Sequence, residues 1–453
     1  MTTTATEPSG PAAEGSAPEA AAFSRGYRRY ALSILLLIYI FNFLDRQIVS
    51  ILAEPIRNDL HLADWQLGVM TGLAFALFYT VLGFPVARLA ERGDRPFIIA
   101  GAVALWSAFT AVCGLAQNFS QLILARIGVG VGEAGCTPPA VSLIADYTPK
   151  AERASAMAFY TIGSPVGSLL GMVIGGLVAD LWGWRAAFFI VGLPGLLLAV
   201  AAATLLREPR RRLQARLAAQ QEQAPPLMEA LREIRGKRAL WRLIFGGAVK
   251  SFVTYGMIAF LGSFFFRNHA EEIAVLAQRV GLEATGFVGV ALGVTTGVSG
   301  AIGAILGGRL VDHFAKRDLR AYARIPAIGM LMAVPFYTAA LLSDSVLVGF
   351  ALLMIPGLLS SLWTGPVYAA IQGLVRPRVR ATATASLLFT TNLIGLGLGP
   401  LGIGIVSDFI SNVMHLGPAA GVKWSILLFT VLGIPAALIY WSAAKTLREE
   451  MIN

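Results

Sequence analysis

Runs of roughly 20 to 30 apolar residues alternate with short polar breaks along this chain. A helix of that length crosses the ~30 Å hydrocarbon core of a bilayer with some tilt. Twelve such runs are predicted, helix 1 to helix 12: 29–53, 65–89, 96–116, 119–146, 153–180, 185–206, 241–266, 284–311, 324–342, 345–374, 380–410 and 423–445. One stretch, 207–240, interrupts the rhythm. It is charged, and after its Pro-Pro comes an amphipathic run, Leu227 to Leu240. That pattern predicts a cytoplasmic linker whose short helix lies along the membrane surface. The opening residues, rich in Ala, Pro, Gly, Ser and Glu, lack the basic start and apolar core of a signal peptide and predict a disordered tail. The expected organisation is a tail (1–25), a six-helix bundle (26–206), the linker (207–240), a second six-helix bundle (241–448) and a short tail (449–453). The fold class is all-α: a polytopic membrane protein of 12 transmembrane helices.

Composition agrees. Of 453 residues, 56% are hydrophobic and 14% charged, where a soluble chain carries about 25% charged; mean hydropathy is +0.68. The net charge of +10 would suggest nucleic acid in a soluble protein. Here its distribution matters more. About 28 of the 36 Lys and Arg fall on the side of the N-terminus and about five on the other, so the positive-inside rule puts both termini in the cytoplasm. Cys113 and Cys136 lie in apolar segments and give neither a disulfide framework nor metal spacing. His61, His269, His313 and His415 sit near span ends, so no nucleophile, base or metal cluster lies at membrane depth and no enzyme is expected. No cofactor, metal or nucleic-acid partner is called for.

The two halves read as copies. "TIGSPVGSLLGMVIGGLVAD" (161–180) laid over "FTTNLIGLGLGPLGIGIVSD" (389–408) matches Gly167 with Gly395, Gly171 with Gly399, Gly176 with Gly404 and Asp180 with Asp408. The loop "ARLAERGDRP" (87–96) has its counterpart in "GRLVDHFAKR" (308–317). Internal repeats of this kind build secondary transporters, with the substrate site between the halves.

These residues resemble the major facilitator superfamily. Gly308, Asp312, Lys316 and Arg317 match its repeated loop pattern; the first copy departs, with Ala87 and Glu91 in place of Gly and Asp while Arg92 and Arg95 remain, and "GWRAAF" (183–188) is a further mark. Within it, "NFLDRQIVSILAEPIRNDLHLADWQLGVMTGLAFALFY" (42–79) and "RIGVGVGEAGCTPPAVSLIADY" (126–147) are similar to the spinster family. The resemblance implies two pseudo-symmetric six-helix bundles, alternating access, proton coupling and an amphiphilic, lipid-like substrate.

Charge inside the apolar spans carries the chemistry. Seven residues apart, Arg126 and Glu133 lie within about 20° on one face of helix 4 and roughly 10 Å apart along it. Asp45 and Arg46 on helix 1 fall at an intermediate depth. A charge at mid-membrane costs roughly 2.5–3.5 kcal/mol, and such groups mark ion and substrate paths. One reading makes Glu133 and Asp45 proton-titrating groups gated by Arg126 and Arg46; another makes them a structural ion pair fixing helix 1 to helix 4. Arg46 or Arg126 is also a candidate for an anionic headgroup, where acid and substrate anion would compete for one guanidinium. "GVGEAG" (130–135) reads as GxGxxG but has no preceding strand, so it is not a dinucleotide site. Pro138 and Pro139 should kink helix 4 just beyond Glu133.

Glu91, Arg92 and Arg95, with Arg153 as partner, form one candidate cytoplasmic gate. Asp312, Lys316 and Arg317, with Arg380, form the other. Candidate cavity residues are Phe43, Tyr79, Phe159, Tyr160, Lys250, Tyr255, Trp363, Tyr368, Thr391 and Asn392. Lys250 could instead snorkel to the cytoplasmic surface. Aromatic side chains with few polar groups suit an acyl chain. The function expected is a proton-coupled exporter of a lysolipid- or sphingolipid-like substrate, working as a monomer among membrane lipids in the inner membrane; a carrier of small organic anions is the alternative.

Overall fold

The computed structural model describes residues 23–149, 152–209, 227–376 and 379–452. Most of the expected N-terminal tail and the centre of the linker lie outside the described residues. Among the described residues, eleven helices are long and apolar enough to cross a membrane, and no strand occurs. One of the eleven, Ser155–Leu205, has 51 residues. At 1.5 Å per residue it would run to roughly 75 Å, more than twice the hydrocarbon thickness. It is divided at Gly183, whose φ of 79° is a left-handed conformation that glycine adopts without steric cost. Helices 5 and 6 are its two arms, and twelve crossings result.

The other spans are helix 1 Arg25–Leu60, helix 2 Asp64–Ala90, helix 3 Arg95–Cys113, helix 4 Phe119–Tyr147, helix 7 Arg238–Asn268, helix 8 Ala284–Phe314, helix 9 Ala321–Leu342, helix 10 Val346–Leu374, helix 11 Thr382–Val413 and helix 12 Gly417–Glu450. Several outrun their apolar windows, since a helix that has left the hydrocarbon needs no further apolar residues. The amphipathic linker helix is shorter than its pattern: it covers Leu227–Arg235. Helix 7 begins at Arg238 because the Glu450 carboxylate accepts from the amides of Arg238 and Ala239, at 3.1 and 3.0 Å, and so caps it there.

The repeat extends into backbone geometry. "LGVMTG" (67–72) and "LGVTTG" (292–297) each open a π-helical turn, Val69–Leu73 and Val294–Val298. In each the threonine hydroxyl donates back one turn, Thr71 to Leu67 O at 2.8 Å and Thr296 to Leu292 O at 2.6 Å.

The halves meet mainly toward the face opposite the termini. There helix 2 packs on helix 11 and helix 5 on helix 8. The backbones touch: a Cβ on Gly404 would stand 2.3 Å from Asp64 O, and one on Gly176 2.6 Å from Thr285 O. At the face carrying both termini, the segments Thr137–Tyr147, Arg153–Thr161, Ser299–Phe314 and Thr364–Leu374 pack chiefly within their own bundle. The molecule is therefore closed at the far face and parted at the terminal face.

Candidate functional site

Helix 4 is interrupted directly after Glu133. Its first segment ends there, a turn covers Ala134 to Cys136, and the helix resumes at Thr137 with Pro138 and Pro139 in its first turn. Proline cannot continue the hydrogen-bond ladder, so the break falls just before it. Glu133 thus sits at the end of a helical segment, opposite the middle of helix 1. Arg46 Nε donates to Glu133 Oε2 at 2.7 Å. Asp45, on the same helix as Arg46, accepts from Thr110 Oγ1 of helix 3 at 2.7 Å and lies 3.7 Å from Arg126 Nη1.

The pairing is crossed, each acid meeting the arginine of the other helix. Asp45, Arg126 and Glu133 are buried, while the Arg46 side chain keeps 14% of its surface. Its guanidinium lies over Tyr79, Phe75 and Phe43 at 4.5, 4.8 and 5.2 Å from the ring centroids.

Hydrogen bonding at the cluster is incomplete. Asp45 Oδ2, Glu133 Oε1, Arg126 Nε and Nη1, and both amide atoms of Asn42 are buried without a hydrogen-bond partner. Beside them is a cavity of about 30 Å³ that both arginines line with Gln47, Ser50, Thr71 and Tyr255. That is room for about one water.

The aromatic candidates group around Arg46. Tyr39 stacks on the buried Tyr160 at 4.3 Å and meets Phe43 edge-on at 5.0 Å. Tyr79 stacks on Phe75. From the second bundle, Tyr255 lines the cavity beside Arg46, and Tyr368 touches Trp363. Phe159 is exposed and stands apart from these ring contacts. Thr391 donates to its own helix at Leu387 O, and Asn392 is half-buried. Lys250 is buried, with Nζ 4.8 Å from the Trp363 ring centroid. It lies twelve residues beyond Arg238, about 18 Å along the axis, further than a lysine stem reaches toward that surface.

The family model of the Major Facilitator Superfamily matches residues 35–400. The chain belongs to the Major Facilitator Superfamily. It is 33% identical to an "MFS-type efflux pump" of Mycolicibacterium smegmatis, over 97% of this chain and 99% of that one. It is 27% identical to Protein spinster homolog 3 of Danio rerio, over 97% of this chain and 89% of that one. The crystal structure of a bacterial homolog to the human lysosomal transporter spinster, inward-facing and unoccupied, matches with TM-score 0.83 and 34% identity, over 95% of this chain and 100% of that one. The protein is a multi-pass major facilitator transporter of the spinster type.

Of the candidate gate residues whose side chains are described, Arg95, Arg153 and Arg380 meet partners other than the expected ones. Arg95 ties helix 3 to the ends of helices 4 and 6: it bonds Ser142 Oγ at 2.7 Å, Asp146 at 2.7 Å and the Glu208 carboxylate. Arg153 donates to Thr148 O in its own loop, and Arg380 to Gln372 O. Among the described residues, Asp312, Lys316 and Arg317 form no ion pair. The side chains of Glu91 and Arg92 lie outside the described residues. The physical reason is local: nearer acceptors take these arginines first, Asp146 and Glu208 for Arg95 and a backbone carbonyl for each of Arg153 and Arg380.

The latch that does form was missed in the sequence and lies at the far face. Arg267 of helix 7 grips Glu54 at 2.9 and 2.7 Å and Asp64 at 2.8 and 2.8 Å. Asp408 of helix 11 accepts from the amides of Asp64 and Trp65 that start helix 2, at 3.1 and 2.7 Å. Asp180 of helix 5 accepts from those of Thr285 and Gly286 that start helix 8, at 3.0 and 2.7 Å. Each carboxylate caps a helix of the opposite bundle, where the helix dipole favours negative charge. The signal was present, since Asp180 and Asp408 are matched positions in the internal repeat.

Proposed function

We propose that this transporter exports an amphiphilic, lipid-like substrate of the lysolipid or sphingolipid class in exchange for protons. It works by alternating access, as a monomer in the bacterial inner membrane with both termini in the cytoplasm. On that orientation the molecule is inward-facing. The observation that carries proton coupling is Glu133: fully buried, one oxygen held by Arg46 and the other without a hydrogen bond. With both acids ionised the four charges cancel. A proton on Glu133 leaves Arg46 uncompensated, so each protonation event changes the charge of the cavity wall. The half-exposed Tyr79, Tyr255, Trp363 and Tyr368 offer an apolar surface for an acyl chain, and the resemblance of residues 42–79 and 126–147 to the spinster family implies a lipid-like substrate.

Exchange requires proton and substrate to occupy the protein on opposite strokes. In proteoliposomes, acid on the far side should then accelerate lysolipid efflux from the terminal side. Glu133→Gln should keep counterflow and lose the gradient response at least tenfold; a full response in that variant would overturn the assignment. Two arginines at one site favour a second reading, a small organic anion. An anion that takes Arg46 leaves Glu133 to bind a proton, so anion and proton would travel together. Transport of lysolipids against small carboxylates under two opposed pH gradients separates the readings by the sign of the gradient effect.

A further inference from the structure

The charges between helices 1 and 4 cancel, but another ionisable side chain lies at their depth. Lys250 stands 18 residues before the end of helix 7, as Asn42 stands 18 before the end of helix 1. It is 7% exposed. Among the described residues, its ammonium meets no carboxylate and no hydrogen-bond acceptor; its contact is the Trp363 ring. A ring face offsets only part of the cost of an ammonium at that depth.

A second group beside that ring is also unsatisfied. Trp363 lies at the interruption of helix 10, between Ser361 and Thr364. A Cβ on Gly247, one turn before Lys250, would stand 3.2 Å from Trp363 Cζ3 and 3.4 Å from Tyr440 Oη. Tyr440 is fully buried and its hydroxyl has no hydrogen-bond partner. An ammonium and a hydroxyl, both lacking an acceptor, thus flank one tryptophan. Trp363 in turn meets Tyr368, while in the other bundle Tyr79 lies under the Arg46 guanidinium.

We infer that Lys250 and Trp363, with the Tyr440 hydroxyl, form a subsite in the C-terminal bundle for the anionic group of the amphiphile, a phosphate or a carboxylate. This rests on the lipid-like substrate proposed above. An anion here neutralises the uncompensated charge and supplies the acceptor that both donors lack. Arg46 and Arg126 then stay with Glu133 and Asp45, so headgroup binding and proton handling use different cations.

The test is equilibrium binding to the full chain in nanodiscs, with three probes sharing one acyl chain: oleoyl lysophosphatidylglycerol, oleate and the uncharged monoolein. Lys250→Met should weaken one or both anionic probes at least tenfold and monoolein less than twofold; Lys250→Arg should stay within threefold of the wild type. The anion that loses more identifies the headgroup. Anionic binding unchanged in Lys250→Met overturns the subsite. Should that variant not fold, tryptophan quenching of the wild type by brominated lysophosphatidylglycerol replaces it. A saturable component lost in Trp363→Phe supports the subsite, and one that persists overturns it. If small carboxylates but no acylated probe bind, with Lys250 dependence, the lipid reading fails and the subsite stands. If acylated probes bind regardless of Lys250, the subsite fails and the lipid reading stands.

Discussion

Arg46 has two kinds of partner, a carboxylate and three aromatic rings, and they weigh differently. The rings contribute on the order of 0.5–2 kcal/mol each at best. Leaving a buried carboxylate without its cation costs about 3–5 kcal/mol. Arg46→Gln should therefore destabilise the protein by about that amount, and adding Glu133→Gln should restore most of it. Thermal unfolding of the two single variants and the double variant in one detergent checks this; additive losses would mean that the pair is not coupled. The seven-residue spacing made Arg126 and Glu133 legible as one helix face, and depth placed Asp45 and Arg46 beside them. Depth could not say which arginine meets which acid, because both arginines lie near both acids; the crossed pairing needs the rotation of helix 1 about its axis. The same gap left Lys250 between burial and snorkelling.

The short helix Leu227–Arg235 tests the smallest docked element. Ile234 is fully buried beneath it, and Glu233 meets Arg376 at 2.8 Å. Hydrogen bonding from Arg376 holds the Glu233 carboxyl below its ordinary value of 4.5. A carboxylate with a depressed folded-state value stabilises docking above its unfolded value, and that contribution is lost as the pH falls through the folded one. The pair is exposed, so the effect is small and salt-sensitive. The protection factors of the amides over 227–235, taken against the slower intrinsic exchange in acid, should fall on acidification into that window, and in Glu233→Gln already at neutral pH; equal protection in the variant would assign docking to Ile234 alone. At this scale the sequence reveals hydrophobic runs well, and hence every span. It reveals poorly what depends on a partner: helix 7 starts where Glu450 caps it, and the π-helical turns at Val69 and Val294 have the same composition as the α-helix around them. Asp312 and Arg380 were placed together from a loop pattern that does not show the nearer acceptor, and Arg380 bonds Gln372 O instead.

Which face is closed follows from bonds that cross the boundary between the bundles. Arg267 holds two carboxylates, and Asp180 and Asp408 cap helices across the bundle boundary. All of these must separate for the far face to open, whereas the pairs at Arg46 and Arg126 lie within one bundle and survive that motion. Charged hydrogen bonds contribute about 1.5–3 kcal/mol each. Removing about 3 kcal/mol from the closed state shifts a two-state equilibrium roughly 100-fold. Asp180→Asn with Asp408→Asn keeps the shape of both caps but weakens their bonds to the helix ends, so the double variant should populate an open far face. Spin labels on the exposed Gln117 and Gln278, one in each bundle, report it as an added long-distance population in pulsed electron resonance, larger still with Arg267→Gln. An unchanged distance distribution in the triple variant would mean that the glycine crossings of helices 2 and 11 and of helices 5 and 8, not the ionic caps, hold that face shut.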